Sequence, residues 1–282
     1  MANLKEIRNR INSINSTMQI TSAMKMVSAA KSKKAQEVIA AMKPYAQTLE
    51  ELLVSLKDAV GTLSVYLPHE EEKKILLVAI TSDRGLCGAF NSVVIKHTLS
   101  LLEENKDKEV SLITIGKKGN DLLKKTDKVV RFCEGFYDQL DFQKVATLAS
   151  ELIQAYMSGA YDRIVLVYNS FKNVATQILT QEVLLPLSLK EEETASPTNF
   201  IYEPSVSQIV EELVPKSLKL QLYKAIRDSI AAEHGARMTA MHKATDNAST
   251  LRDELTLTYN KARQTAITNE ILEIVSGADA LG

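Results

Sequence analysis

The stretch "KILLVAI" (Lys74–Ile80), followed at once by "TSDRGLCGAFN" (Thr81–Asn91), decides how the chain is organised. Seven residues rich in branched apolar side chains lead into a turn with two glycines, and a helix-like run begins at Asn91. Strand, glycine turn and helix in that order are the opening of a crossover unit. The pattern recurs. Further short apolar runs are "VSLITIG" (Val110–Gly116), "KVVRFC" (Lys128–Cys133) and "DRIVLVYNSF" (Asp162–Phe171), and helix-like segments at Asn91–Glu104, Lys117–Lys125 and Phe142–Met157 lie between them. Such alternation predicts an α/β domain with a doubly wound, mostly parallel sheet covered on both faces. "VATQILTQEVLLPL" (Val174–Leu187) predicts one or two further strands at an edge. The acidic "KEEETASPTN" reads as a loop before an extended "FIYEP", and "YLPHEEEKK" as the charged connector that precedes the domain.

On either side of this region the period changes from two to three-and-four. On the N-terminal side apolar residues fall at Leu4, Ile7, Ile11, Ile14 and Met18, the spacing of a coiled-coil seam. The seam blurs through "TSAMKMVSAAKSKKA" and resumes at Val38, Met42, Tyr45, Leu49, Leu52 and Leu56, in a helix expected to reach about Leu63. Pro44 should kink that helix or end it locally, because proline removes a backbone hydrogen bond. On the C-terminal side, Ser217 to Ser276 contains no proline and one glycine, Gly235. Sixty helical residues span about 90 Å. Their seam reads Met241, Ala244, Ala248, Leu251, Leu255, Thr258 and Ala262, with Gly277 as the natural stop.

Neither terminal helix can bury its stripe alone. The expected arrangement is an antiparallel coiled coil of the two ends, residues 1–66 and 207–282, around a central α/β domain at 67–206. The C-terminal helix would outrun its partner by roughly 15 Å, leaving a bare tip. On that segment Ile267, Ile271, Ile274 and Val275 form an apolar stripe with no obvious partner inside the chain, which implies another protein.

Bulk properties narrow the function classes. The chain has 282 residues, 45% apolar and 24% charged, and a net charge of −1. Those values belong to a folded protein with no overall electrostatic reason to seek nucleic acid or anionic lipid. No apolar run is long enough to insert directly into a membrane. Cys87 and Cys133 fit neither a metal pattern nor a disulfide framework. His69, His97, His234 and His242 include no zinc-binding spacing, so neither metal nor cofactor is expected.

The glycine turn is a poor phosphate loop. Gly85 and Gly88 are separated by two residues, no lysine follows, and no serine or threonine is placed for a metal ion. The reading favoured by the residues is a structural turn closed by Asp83, Arg84, Gly85 and Gly88, with nucleotide binding as the alternative. Two features of the helices stay open. The basic face of Lys5, Arg8, Arg10, Lys25, Lys31, Lys33 and Lys34 is either a solvated surface or a rim beside an acidic partner. The small residues of "ITSAMKMVSAAKSKKA" and "NKARQTAITN" are either a thin core or the surface of a shaft that must turn without sticking.

Three segments, "ITSAMKMVSAAK", "TSDRGLCGAFN" and the C-terminal "GARMTAM…ATDNAS…LTLTYNKARQTAITNEILEIVSGADAL", resemble the signature regions of the gamma subunits of F-type ATP synthases, in the usual order and over essentially the whole chain. The resemblance implies a rotor. The paired helices would form the central stalk inside a ring of three alpha and three beta subunits, in one copy per complex, and the α/β domain a foot on epsilon and the membrane c-ring. Catalysis would belong to the other subunits. It further implies beta-subunit contacts through Arg263, Gln264, Met24, Arg237 and the segment Asn269–Glu273, with Glu270 and Glu273 among them. Foot contacts with the c-ring and epsilon would involve Tyr202 and Glu203. Departures from the family pattern are Lys25, His234 and Ala89, and neither cysteine lies in a redox insertion of the chloroplast kind. A bacterial subunit at the cytoplasmic face of the inner membrane is the expected source. The rival classes are a dinucleotide-dependent enzyme and a dimerising coiled-coil adaptor.

Overall fold

The computed structural model describes residues 4–56, 64–68, 72–137, 140–187, 202–203 and 205–279. The expected loop "KEEETASPTN", most of "FIYEP" and the reach of the first helix towards Leu63 lie outside them.

The described elements run in the order α1 (Leu4–Ser55), β1 (Lys74–Ile80), α2 (Phe90–Glu104), β2 (Glu109–Ile115), α3 (Lys117–Leu123), β3 (Val129–Cys133), α4 (Phe142–Met157), β4 (Arg163–Phe171), β5 (Gln177–Leu185) and α5 (Val206–Asp279). Four strands are parallel, in the order β3-β2-β1-β4, and β5 closes one edge antiparallel to β4. The "VATQILTQEVLLPL" segment therefore supplies one edge strand. Leu184 and Leu185 are buried at its end, and Leu179 and Val183 pack half-buried against the core.

Strand β1 lies in the middle of the sheet, which explains its unbroken apolar run. Leu76, Val78 and Ile80 point to one face, where they join Val145, Leu152 and Tyr156 of α4 and Val214, Leu222 and Ile226 of α5. Ile75, Leu77 and Ala79 point to the other, against Val94 and Leu101 of α2 and Leu123 of α3. A strand buried on both faces cannot alternate apolar and polar residues.

The chain divides into two compact units, residues 29–237 and residues 1–28 with 238–282. In the larger unit the terminal helices run antiparallel. Near the end of α1, the Ser55 hydroxyl lies 3.4 Å from that of Tyr202, just ahead of α5, whereas Lys31, earlier in α1, acts electrostatically on Glu233, far along α5. In the smaller unit the two helices meet where Thr21 Oγ1 lies 2.8 Å from Thr245 Oγ1.

The seam of α1 does not blur. Residues 4, 7, 11, 14, 18, 21, 25, 28, 32, 35, 39, 42, 46, 49, 53 and 56 are all buried or half-buried, an unbroken alternation of three and four. Thr21, Ser28, Ser32 and Ala35 carry it through the stretch where apolar residues are missing. Ile39, Ala46 and Leu53 keep the strict spacing; the expected Val38 and Leu52 are half-buried beside them, whereas Tyr45 is exposed. Pro44 sits within α1 without ending it. On α5 the seam follows Met241, Thr245, Ala248, Arg252, Leu255, Tyr259 and Ala262, so Leu251 and Thr258 fall outside it. Helix α5 continues past Gly277 to Asp279, where nothing crowds the glycine and its helical conformation needs no positive φ.

Small residues bury little area, at about 25 cal/mol per Å². The middle of α1 therefore buries little apolar surface, and its polar seam residues find partners close by: Thr21 Oγ1 lies against Thr245 Oγ1, and Gln36 Nε2 donates to Ser32 Oγ.

Candidate functional site

The turn after β1 is tied by hydrogen bonds to itself and to the elements around it. Thr81 is fully buried; its hydroxyl donates to the Ile115 carbonyl at 3.1 Å and accepts from the Gly119 amide at 2.9 Å. The Ser82 amide donates to Asn91 Oδ1, and Asn91 Nδ2 returns to Ser82 Oγ and to the Cys87 sulfur. Asp83 Oδ1 accepts from the Lys117 amide at 3.0 Å and so satisfies an orphan donor in the first turn of α3. Leu86 and Gly88 both have positive φ, 64° and 60°. Gly88 adopts this without cost, whereas Leu86, an exposed residue with a Cβ, does so against its own steric preference.

A phosphate cradle needs backbone amides aimed outward from a helix start. Here the loop instead offers carbonyls. Those of Arg84 and Gly85 each lie 3.1 Å from Nη2 of Arg237, on α5. Arg237 is 8% exposed, and the same Nη2 pairs with Glu233 Oε1 at 2.6 Å. His234 Nδ1 lies 3.4 Å from Nη1. Burial, reinforced by Arg237 and Lys31, holds the His234 imidazole down at about 4, so it is neutral near pH 7. Burial pushes the Glu233 carboxyl upward against the pull of Arg237, and pushes the Cys87 thiol upward, which makes it a poor nucleophile.

Other residues singled out from the sequence lie apart from this cluster. Met24 is half-buried on α1. Arg263, Gln264, Asn269, Glu270 and Glu273 are exposed, as is every residue from 263 to 278. Tyr202 is half-buried at Ser55, and Glu203 is exposed. Among the described residues no group of histidine, cysteine and acidic side chains is arranged to hold a metal ion, and no helix is long and apolar enough to cross a membrane.

Sequence reasoning missed Glu233. An acid four residues ahead of an arginine on a helix reads as a surface pair, and the signal that it is buried is the run of small residues around it, Ala231, Ala232, Gly235 and Ala236.

Residues 3–281 match the family model described as ATP synthase. The ATP synthase gamma chain of Flavobacterium johnsoniae is 61% identical, over all of this chain and 99% of that one. The chain belongs to the ATP synthase gamma-chain family. Among solved structures, a chain of the central stalk and c-ring of the Tetrahymena thermophila mitochondrial ATP synthase is 27% identical with a TM-score of 0.62, over 80% of this chain and 99% of that one. A chain of the Euglena gracilis mitochondrial ATP synthase, 24% identical, shares the fold with a TM-score of 0.73 over 99% of this chain and 94% of that one. In this chain the glycine turn bonds α3 through Asp83 and α5 through the Arg84 and Gly85 carbonyls, with positive φ at Gly88.

Proposed function

We infer that the chain is the central-stalk rotor of an ATP synthase, coupling c-ring rotation to the conformational cycle of the beta subunits and contributing no catalytic group itself. The observation that carries this reading is the pair of terminal helices. They hold a seam of strict three-four spacing, and α5 then continues through 263–278 with every side chain exposed. A helix that presents Ile267, Ile271 and Ile274 to solvent is built to lie inside something else.

Its seat would be the ring of three alpha and three beta subunits. Arg263, Gln264, Asn269, Glu270 and Glu273 would reach beta from the exposed stretch, and Met24 from α1. Residues 67–206 would form the foot, with Tyr202 and Glu203 near epsilon and the c-ring. One copy would serve each complex, at the cytoplasmic face of a bacterial inner membrane. Rotation does work on a catalytic site only if the shaft touches its open and closed states unequally, because a partner shifts an equilibrium by its differential contact free energy and by nothing else. An asymmetric pair of helices, thinned along its seam by Thr21, Ser28, Ser32 and Ala35, meets that need by favouring one site at a time.

The test is reconstitution. With alpha and beta present, the chain should co-elute once per three alpha and three beta subunits and raise their ATP hydrolysis. A hydrolytically competent ring that excludes the chain, or saturable micromolar nucleotide binding by the chain itself, would overturn the reading.

A further inference from the structure

Residues 232–237 of α5, "AEHGAR", meet the sheet layer through two different kinds of contact. Ala232 and Ala236 are buried with Cys87 and Phe90. Gly235 comes so close to the β4–β5 turn that a Cβ there would lie 3.3 Å from the Phe171 ring and 3.4 Å from the Val174 carbonyl oxygen. This small-residue face brings the helix backbone near the sheet. Apolar contact is non-directional, however, and resists separation better than it resists sliding about the helix axis.

The second contact is directional. The side chains of Arg237 and Glu233 are 9% and 5% exposed. A buried ion pair is weak evidence for net stability, since desolvation offsets much of the attraction, so its role is better read from what it orients. Glu233 fixes the guanidinium, which then donates to the carbonyls of Arg84 and Gly85. Those carbonyls belong to the turn that joins β1 to α2, and the same turn is tied to α3 through Asp83. One side chain, reaching sideways from α5, thus grips the junction of three elements with charge-assisted bonds that weaken steeply when misaligned.

We propose that Arg237, oriented by Glu233, is a positioning residue that keys the α/β layer to α5, so that torque applied to the foot is carried into the helix through the 83–85 turn. This rests on the rotor reading and gives Arg237 an internal role within it.

The experiment compares the assembled, membrane-reconstituted complex carrying the unaltered chain with complexes carrying Arg237→Gln and Arg237→Lys. Two readouts are taken: hydrogen exchange at residues 82–89, and protons pumped per ATP hydrolysed. Removing hydrogen bonds made by a charged group should speed exchange of the turn by about tenfold or more. Pumping per ATP should fall in Arg237→Gln and return in part in Arg237→Lys, which keeps the charge opposite Glu233 but not the fork of donors. Should Arg237→Gln fail to assemble, Arg237→Lys carries the comparison by itself, since it keeps the buried charge opposite Glu233 while losing the fork that bonds both carbonyls. Unchanged exchange in the turn, or faster exchange with an unchanged pumping ratio, overturns the key and leaves the rotor standing. Absence of the unaltered chain from the pumping complex overturns the rotor reading instead.

Discussion

Replacing Ile267, Ile271 and Ile274 together by asparagine probes the bare end of α5. The three side chains are 47%, 55% and 66% exposed in the free chain, so roughly half of each remains to be covered when the helix is seated. Fully burying an isoleucine contributes about 2 kcal/mol, and completing a half-finished burial therefore about 1 kcal/mol per residue. The triple replacement should cost about 3 kcal/mol of seating free energy, a factor of about one hundred in the dissociation constant. Because the residues are exposed already, the free chain should keep its helix content and thermal midpoint. The assay is gel filtration of the complex through a dilution series, with circular dichroism of the free chain as control. Retention of the altered chain at the unaltered midpoint would refute the reasoning. So would a loss of helix in the free chain, since it would mean that the stripe is packed internally.

Three other perturbations test separate parts of the account. His234 is held near 4, below its ordinary 6.5, so the unfolded chain takes up the proton more readily; the stability it confers is complete above about pH 6.5 and is lost as pH falls towards 4, by at most about 3 kcal/mol. Glu233, pushed the other way, works against this slope, and His234→Gln should flatten the histidine part alone; identical denaturation profiles would argue against a half-buried neutral imidazole. Gly119→Ala would place a Cβ 2.5 Å from Thr81 Oγ1 and 2.8 Å from its Cγ2, on a side chain fixed by hydrogen bonds, at a cost of about 1–3 kcal/mol. Adding Thr81→Ala should recover part of the lost thermal midpoint, whereas strictly additive losses would show that the two residues do not meet. Met24→Lys puts a charge on a half-buried face of α1 and is expected to reduce coupled ATP synthesis more than assembly; unchanged synthesis at normal complex yield would remove Met24 from the contact surface.

Much of this was legible where one physical signal dominated. β1 and α4 have the bounds that "KILLVAI" and Phe142–Met157 predict, because a run of branched residues and a clean amphipathic period each leave little choice. The middle of α1 was obscure because its seam positions are Thr21, Lys25, Ser28 and Ser32, which no hydrophobicity pattern reveals although the spacing never breaks. Tyr45 and Leu251 misled for the opposite reason: each is apolar one residue away from the true seam. Gly277 looked like a helix stop, but a glycine ends a helix only when the chain takes up positive φ there, and α5 runs on to Asp279. The Arg237 joint was beyond reach from spacing alone, since its acceptors are backbone carbonyls more than 150 residues away, and main-chain acceptors leave no mark in a sequence.

The most direct measurement is rotation. With the alpha and beta subunits fixed to a surface and a probe attached to the α/β layer at the exposed Lys106, ATP should drive the probe round in one direction, in steps set by the three beta sites. A probe that stays still while the same immobilised particles hydrolyse ATP would contradict the account at its centre.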